Sequence, residues 1–442
     1  MIVDNFTLTK GQIIAVDKIS KFLESSERLF LLIGKAGTGK TFIIKHCLSH
    51  YISNDMNSKE SLSMIGVTVS HKAKEQLRAS IPYVNTFAST FGQREILLDD
   101  GTSVFKRDNR AAEYADCNHK WKVAIMDECS MYNKTMLNTI LEQFDSNTKI
   151  ILMGDAGQLP PIEEDQEFDD NSDSPVFQLN LPDFCKHELT ERVRQTKGNS
   201  IIDLSDNIYN QIFGAHDLNH VRKLINKTNI DENGFGYQPV AIQDMYDLFA
   251  NSSSNNFLDT KLLAYRRITV NDYNRFLRNY IHYNPIEYYI PDEIIYMNKN
   301  FRYSDGNQIM VIHNSSEYVI QKVTQGEIEG IPVDYVHVQD GVLPVIQGLK
   351  GGYAYKMFYH RLEEYSSKKL WLEKRDFKDS FAEFNYGYTL TMHKAQGSTY
   401  DNVFVDVDDI FAVRKITAKR KLQALYTAIT RASKRLYFIE SK

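Results

Sequence analysis

The stretch RLFLLIGKAGTGKTFIIKHCLSHYI, residues 28–52, limits what this chain can fold into more than any other part of it. It opens as a short continuous apolar run ending in glycine, the pattern of a strand buried on both faces. The glycine-rich segment Gly34, Ala36, Gly37, Thr38, Gly39, Lys40 and Thr41 follows with the spacing GxxxxGK[ST], and a helical pattern begins at once after it. Strand, glycine-rich loop and helix in that order form a phosphate cradle. The glycines let backbone N–H groups curl around phosphate at a helix N-terminus. Lys40 is placed to reach the β- and γ-phosphates of ATP, and Thr41 to hold Mg²⁺.

The neighbouring sequence has the same texture. GQIIAVDKISKFLES repeats Ile13, Ile14, Ile19, Phe22 and Leu23 at helical spacing. SMIGVTVS, KVAIMDE and TKIILMGD read as buried strands, and HKAKEQLRAS and KTMLNTILEQF as the helices between them. That alternation indicates an α/β fold built on an open parallel sheet with helices on both faces. Two extended arms around Asp99-Asp100-Gly101-Thr102 interrupt it, a hairpin signal inserted into the α/β region. A second α/β region starts near Leu189. Short strands separated by turn residues, EIIYM to VLPVIQ, then form a barrel-like all-β unit. A helical segment follows it, and the α/β pattern resumes after Tyr386.

At 442 residues the chain has room for about three domains. A net charge of −5 argues against a protein that coats nucleic acid, but not against a local basic groove. Acid is concentrated in Glu163–Asp173, while the last thirty residues are rich in Lys and Arg. Cys47, Cys117, Cys129 and Cys185 are too scattered for a zinc site or a disulfide framework and read as reduced cytosolic thiols. No signal pattern or membrane-spanning run is present, so the expected setting is cytoplasmic.

Further motifs lie at predicted strand ends. Asp127 and Glu128 close VAIMDECS, where an aspartate completes the Mg²⁺ shell and an adjacent glutamate polarises the attacking water. Gln158 in LMGDAGQLPP is placed to contact the γ-phosphate. LTERVRQT and LYTAITRASKRL offer Arg194 and Arg431 as groups that neutralise transition-state charge. TLTMHKAQGST sets Thr, His, Lys and Gln around Gly397 at the edge of the strand VFVDV.

Taken in order, these motifs resemble those of the superfamily 1 helicases. The MHKAQG segment and the AITRA ending are similar to the 5′→3′, RecD-like branch, phage helicases included. The resemblance implies two RecA-like P-loop domains with an inserted β-hairpin and an inserted SH3-like β-barrel. The expected boundaries are 1–82 and 120–186 for the first domain, 83–119 for the hairpin, 187–291 and 386–442 for the second domain, and 292–385 for the β unit with its helical extension. By the same resemblance Gln12 reads adenine and Gly397 approaches the γ-phosphate. Ser70, His71, Thr86, Thr391 and His393 contact DNA. Phe105 is the ring that wedges bases apart at the hairpin. Trp371 is read first as a core residue and second as a brace for the hairpin or DNA.

The implied activity is ATP-dependent 5′→3′ unwinding of DNA, driven by translocation on a single strand. The implied partners are single-stranded DNA, single–double-strand junctions and proteins of replication or recombination, and the expected state is a monomer. Two rivals stay open on the motifs alone: a translocase that remodels protein–DNA complexes without processive unwinding, and an RNA helicase. The chain departs from the family pattern at Ser315-Ser316, where a glycine turn is usual, and at Arg266, where a neutral polar residue is common.

Overall fold

The computed structural model describes residues 2–3, 6–48, 63–97, 103–161, 173–192, 199–252, 257–282, 289–304, 309–348 and 350–440. Contact density divides the chain into two compact units. The first holds residues 1–236, 396–398 and 413–430, and the second holds 237–395, 399–412 and 431–442. Helices Ser200–Ile212, Leu218–Ile225 and Ala418–Ile429, assigned from sequence to the second domain, therefore lie with the first unit.

The first unit is an α/β domain with a RecA-like parallel core. Its six strands run in the order Lys186–Leu189, Leu29–Gly34, Lys149–Gly154, Val123–Met126, Met64–Thr68 and Val84–Thr86, all parallel. Alternate residues serve opposite faces, as a two-residue side-chain period demands. Phe30, Leu32, Val123, Ile125, Ile151 and Met153 enter one core with Ala15, Ile19, Phe22, Ile43 and Ile44. Leu31, Ala124, Met126, Ile150 and Leu152 enter the other with Phe91 and Tyr132. Burial on both faces explains why these strands read as unbroken apolar runs.

The helix Lys10–Glu24 starts at Thr9, whose side chain accepts from the Gln12 N–H in a capping box. Its buried face is Gln12, Ala15, Ile19 and Phe22, whereas Ile13 and Ile14 are exposed. The sequence reading had placed both isoleucines on the apolar stripe. The inward face instead follows the small Ala15, which lets the helix approach the sheet.

A two-stranded antiparallel hairpin, Gln93–Leu97 with Ser103–Arg107, projects between the third and fourth strands in sequence. Its Asp99–Thr102 turn lies outside the described residues.

The second unit has its own sheet. Thr260–Ala264 pairs in parallel with Thr389–Thr391 and with Tyr400–Asp406, which pairs in parallel with Ala432–Glu440. Short antiparallel strands between Ile294 and Ile346 enclose a separate core of Ile295, Met297, Ile312, Val336 and Leu343. Two departures from the family pattern have local explanations. Ser315 adopts a φ of 67°, the left-handed conformation in which glycine is least strained. Arg266 is committed to the buried Asp409, which accepts from the Tyr265 and Arg266 N–H groups at 2.7 and 2.8 Å and from the Thr269 hydroxyl at 2.6 Å.

Among the described residues no helix is long and apolar enough to cross a membrane. The four cysteines are unbridged, and burial pushes the Cys47 thiol up to about 12.

Candidate functional site

The P-loop bends through two left-handed glycines. Gly37 and Gly39 have φ of 80° and 85°, and Gly39 is the N-cap of helix Lys40–Cys47. A Cβ at Gly37 would meet nothing within 4 Å, so its positive φ rather than lack of space calls for glycine there. Gly34 is needed for a different reason, since a Cβ there would come within 2.6 Å of the Thr38 hydroxyl. Lys40 curls back over the loop and donates to the Gly34 carbonyl at 2.5 Å and the Lys35 carbonyl at 3.2 Å. Thr41 follows it in the first helical turn. Gln12 Nε2 donates to the Thr38 carbonyl at 3.0 Å, and Gln12 Oε1 accepts from the Thr9 N–H at 3.1 Å. One end of this buried amide therefore holds the loop and the other closes the cap of its own helix.

The carboxyl ends of the neighbouring strands supply the acids, as ligand sites in open α/β sheets do. Asp127 follows Val123–Met126 and accepts from the Glu128 N–H at 2.9 Å. Burial raises its pKa, and the Lys40 ammonium pulls it back down, so the two groups share one electrostatic site. Glu128 holds a φ of 53°, a left-handed conformation costly for a residue with a side chain and characteristic of functional positions. Gln158 is 5% exposed, and its Oε1 has no hydrogen-bond partner among the described residues. A glycine-rich loop at a helix N-terminus, a lysine, a buried acid and an orphaned buried amide oxygen fit the triphosphate of a nucleotide and its Mg²⁺.

Sequence reasoning missed the layer that supports this edge. Lys35, inside the P-loop, pairs with Asp206 at 2.8 Å and lies 4.3 Å from the centre of the Tyr209 ring. Arg192 donates to the same Asp206 oxygen at 2.9 Å and to the Ser205 hydroxyl at 2.9 Å. The Tyr426 hydroxyl donates to Asp155 at 2.8 Å, and the Thr427 hydroxyl accepts from the Leu159 N–H at 3.0 Å. Gln396 Nε2 donates to the Leu159 carbonyl at 3.1 Å. The YTAITRA motif thus acts through Tyr426 and Thr427 on the loop that carries Gln158. Its signal in sequence was the pair of polar-tipped residues inside the apolar run Ala424–Ile429 that ends this helix.

Ser70, Thr86 and Thr391 share one local geometry. Ser70 and Thr86 are N-caps, accepting from the N–H groups of Ala73 and Ser89 at 3.2 and 3.3 Å, and Thr391 accepts from the Lys394 N–H at 3.3 Å. His71 opens the helix that Ser70 caps. The His393 ring lies 5.9 Å from that of Tyr265. Gly397, with φ 71°, sits against that same helix, where a Cβ would meet Ala73 at 3.2 Å and the Ser70 hydroxyl at 3.8 Å. Arg431 is buried, and its carbonyl accepts from the Tyr400 N–H at 2.8 Å. Phe105 lies on the second hairpin strand. Arg194 and residues 163–172 of the acidic stretch lie outside the described residues. Asp173, its last residue, is held by Lys419 at 2.6 Å and Gln423 at 3.2 Å.

Residues 7–227 match the family model described as AAA domain, half of the chain. The chain belongs to the AAA domain family. Residues 386–439 of this AAA-domain protein also match the UvrD-like helicase C-terminal domain. The first match contains every P-loop and strand-end residue above, and the second contains Thr391, His393, Gly397 and Arg431.

The AAA-domain chain is similar over nearly its whole length to two viral proteins. It is 23% identical over 469 residues to the ATP-dependent DNA helicase dda of Enterobacteria phage T4, covering 98% of this chain and 99% of that protein. It is 23% identical over 521 residues to an uncharacterized protein of Acanthamoeba polyphaga mimivirus, covering 98% and 99%. Its fold resembles that of a Pif1 helicase from Bacteroides solved with ADP-AlF3 and ssDNA. The TM-score is 0.51 at 15% identity, over 98% of this chain and 92% of that one.

Proposed function

We propose that this chain is an ATP-dependent DNA helicase that moves 5′→3′ along single-stranded DNA and unwinds duplex ahead of it. The observation that carries the reading is the pairing of Lys40, folded over the glycine-rich loop, with the field of the buried Asp127 at the end of a neighbouring strand, in a chain whose C-terminal segment matches a helicase domain. Polarity rests on the resemblance to the RecD-like branch.

In this reading the loop N–H groups and Lys40 bind the β- and γ-phosphates. Thr41 and Asp127 would hold Mg²⁺, which supplies charge neutralisation on those phosphates when bound. Gln12 selects adenine, Gln158 senses the γ-phosphate, and Glu128 orients the attacking water. Arg194 and Arg431 neutralise the transferring phosphoryl group, and Gly397 transmits the nucleotide state. Ser70, His71, Thr86, Thr391 and His393 grip the strand. Caps of this kind put helix N-terminal N–H groups beside a phosphate, a contact indifferent to base sequence. The hairpin with Phe105 splits the duplex, and the inserted β unit is SH3-like. The protein acts as a monomer in a cytoplasmic setting, with replication or recombination proteins as partners.

The test is ATP turnover with and without single-stranded DNA, in the wild type and in Lys40→Ala and Glu128→Gln. DNA-stimulated turnover lost in both variants supports the proposal, whereas turnover indifferent to single-stranded DNA contradicts it.

A further inference from the structure

The helical extension after the β unit carries an exposed tip that no part of its core requires. Helices Tyr353–Ser367 and Trp371–Asp379 are joined by Lys368, Lys369 and Leu370, and Lys369 turns the chain with a φ of 58°. Their packing is complete beneath the tip. Phe358, Phe377 and Phe381 interlock at centroid distances of 5.1–5.4 Å and sit on Ile331, Val333 and Ile346. Leu370, Trp371 and Leu372 point away from this core, 36%, 61% and 62% exposed. The expectation of a core Trp371 is therefore overturned, because the phenylalanines already fill the space between the helices.

Cations neighbour the exposed indole along the chain. Lys368, Lys369, Lys374 and Arg375 flank Leu370-Trp371-Leu372, against Glu373 and Asp376 as the acids of the same turn. Lys374 lies 5.8 Å from the centre of the Trp371 ring and donates to the Ser366 hydroxyl at 2.7 Å, which braces the ring's flank. Arg375 pairs with Asp376 at 3.2 Å. Lys368 and Lys369 are exposed and make no ion pair among the described residues. An exposed aromatic face with unpaired cations beside it matches a single strand, which offers both a π-face and phosphates. A purely apolar partner would leave the lysines facing it unpaired.

We propose that the Lys368–Arg375 tip is a second contact for single-stranded nucleic acid. Trp371 stacks on a base, and Lys368 and Lys369 meet the flanking phosphates. The inference rests on the helicase reading but concerns a separate surface.

The chain's composition makes the test direct, because it has two tryptophans. Trp121 is 2% exposed, with its Nε1 donating to the Asp116 carbonyl at 2.7 Å, so solvent-sensitive emission reports Trp371. A short oligothymidylate should quench that emission saturably. Trp371→Phe should remove the quench and leave the Trp121 emission, which also verifies the fold. Trp371→Ala should weaken oligothymidylate binding about tenfold, in the range of a lost base stack. Lys368→Glu with Lys369→Glu should lower the salt slope of binding by roughly 1.4. Single-stranded DNA that stimulates ATP turnover while Trp371 emission stays unchanged would overturn this inference and leave the helicase reading standing. Emission that responds to anionic phospholipid vesicles and not to oligothymidylate would also overturn it. Absence of DNA-stimulated turnover together with absence of quenching would overturn both.

Discussion

Lys35 Nζ lies 2.8 Å from Asp206 Oδ1, and the same oxygen accepts from Arg192 Nη2 at 2.9 Å. One carboxylate thus holds a P-loop cation and an arginine from the segment that leads to Arg194. Asp206→Asn keeps the shape and removes the charge. The expected result is a KM for ATP raised up to roughly fivefold with kcat little changed, because a half-exposed pair is worth about 1 kcal/mol or less. The effect should fade at high salt. Steady-state kinetics at two ionic strengths check it, and an equal fall in kcat would assign Asp206 to the chemistry instead.

Gln12 is predicted to act on both stability and nucleotide choice. Gln12→Ala removes the bond to the Thr38 carbonyl and half of the capping box at Thr9. The loss should be about 1–2 kcal/mol, visible in thermal unfolding. Discrimination between ATP and GTP should fall in the same variant. Unchanged discrimination would leave Gln12 as a structural clamp on the loop.

The strongly local features were legible in sequence. The P-loop and four of the six strands of its sheet could be read because a glycine spacing and an unbroken apolar run are both set within a few residues, whereas the short Val84–Thr86 and the polar Lys186–Leu189 carry no such run. The strand-end position of Asp127 and Glu128 could be read because they close such a run. Asp206, Tyr209 and Tyr426 could not be, because their roles depend on residues 171–271 positions away meeting at one edge. Trp371 was misread because burial depends on what else fills the core, and Phe358 and Phe377 had already filled it. The same limit applied to Ile13 and Ile14, whose helix turned a different face inward.

His187 gives a pH dependence. Its Nε2 lies 2.8 Å from the Gly11 carbonyl beside the first helix, and burial lowers its pKa below the usual 6.5. The folded chain then binds fewer protons at this site than the unfolded chain. Its contribution to stability is complete above pH 6.5 and is lost as pH falls toward the folded value. Urea midpoints should therefore drop between about pH 7.5 and 5.5, and His187→Gln should flatten that change. Asp183 and Glu191 nearby have lowered pKa values from Lys18 and from hydrogen bonds at the first helix. Their loss follows only at more acidic pH.

Arg278 and Glu293 form a buried ion pair that joins helix Arg267–His282 to the start of the β unit. Burial raises the Glu293 pKa, and the Arg278 guanidinium opposes that rise. Arg278→Ala would leave the carboxyl buried without its cation and should cost about 3–5 kcal/mol. Arg278→Met with Glu293→Leu should cost far less. Unfolding curves of the single and double variants check this, and equal losses in both would contradict it.

The most direct test of the central claim is unwinding of two partial duplexes, one with a 5′ single-stranded tail and one with a 3′ tail, with ATP and Mg²⁺, beside Lys40→Ala. The account predicts opening of the 5′-tailed duplex alone, lost in Lys40→Ala. ATP turnover that opens neither duplex, or opening from the 3′ tail, would contradict it.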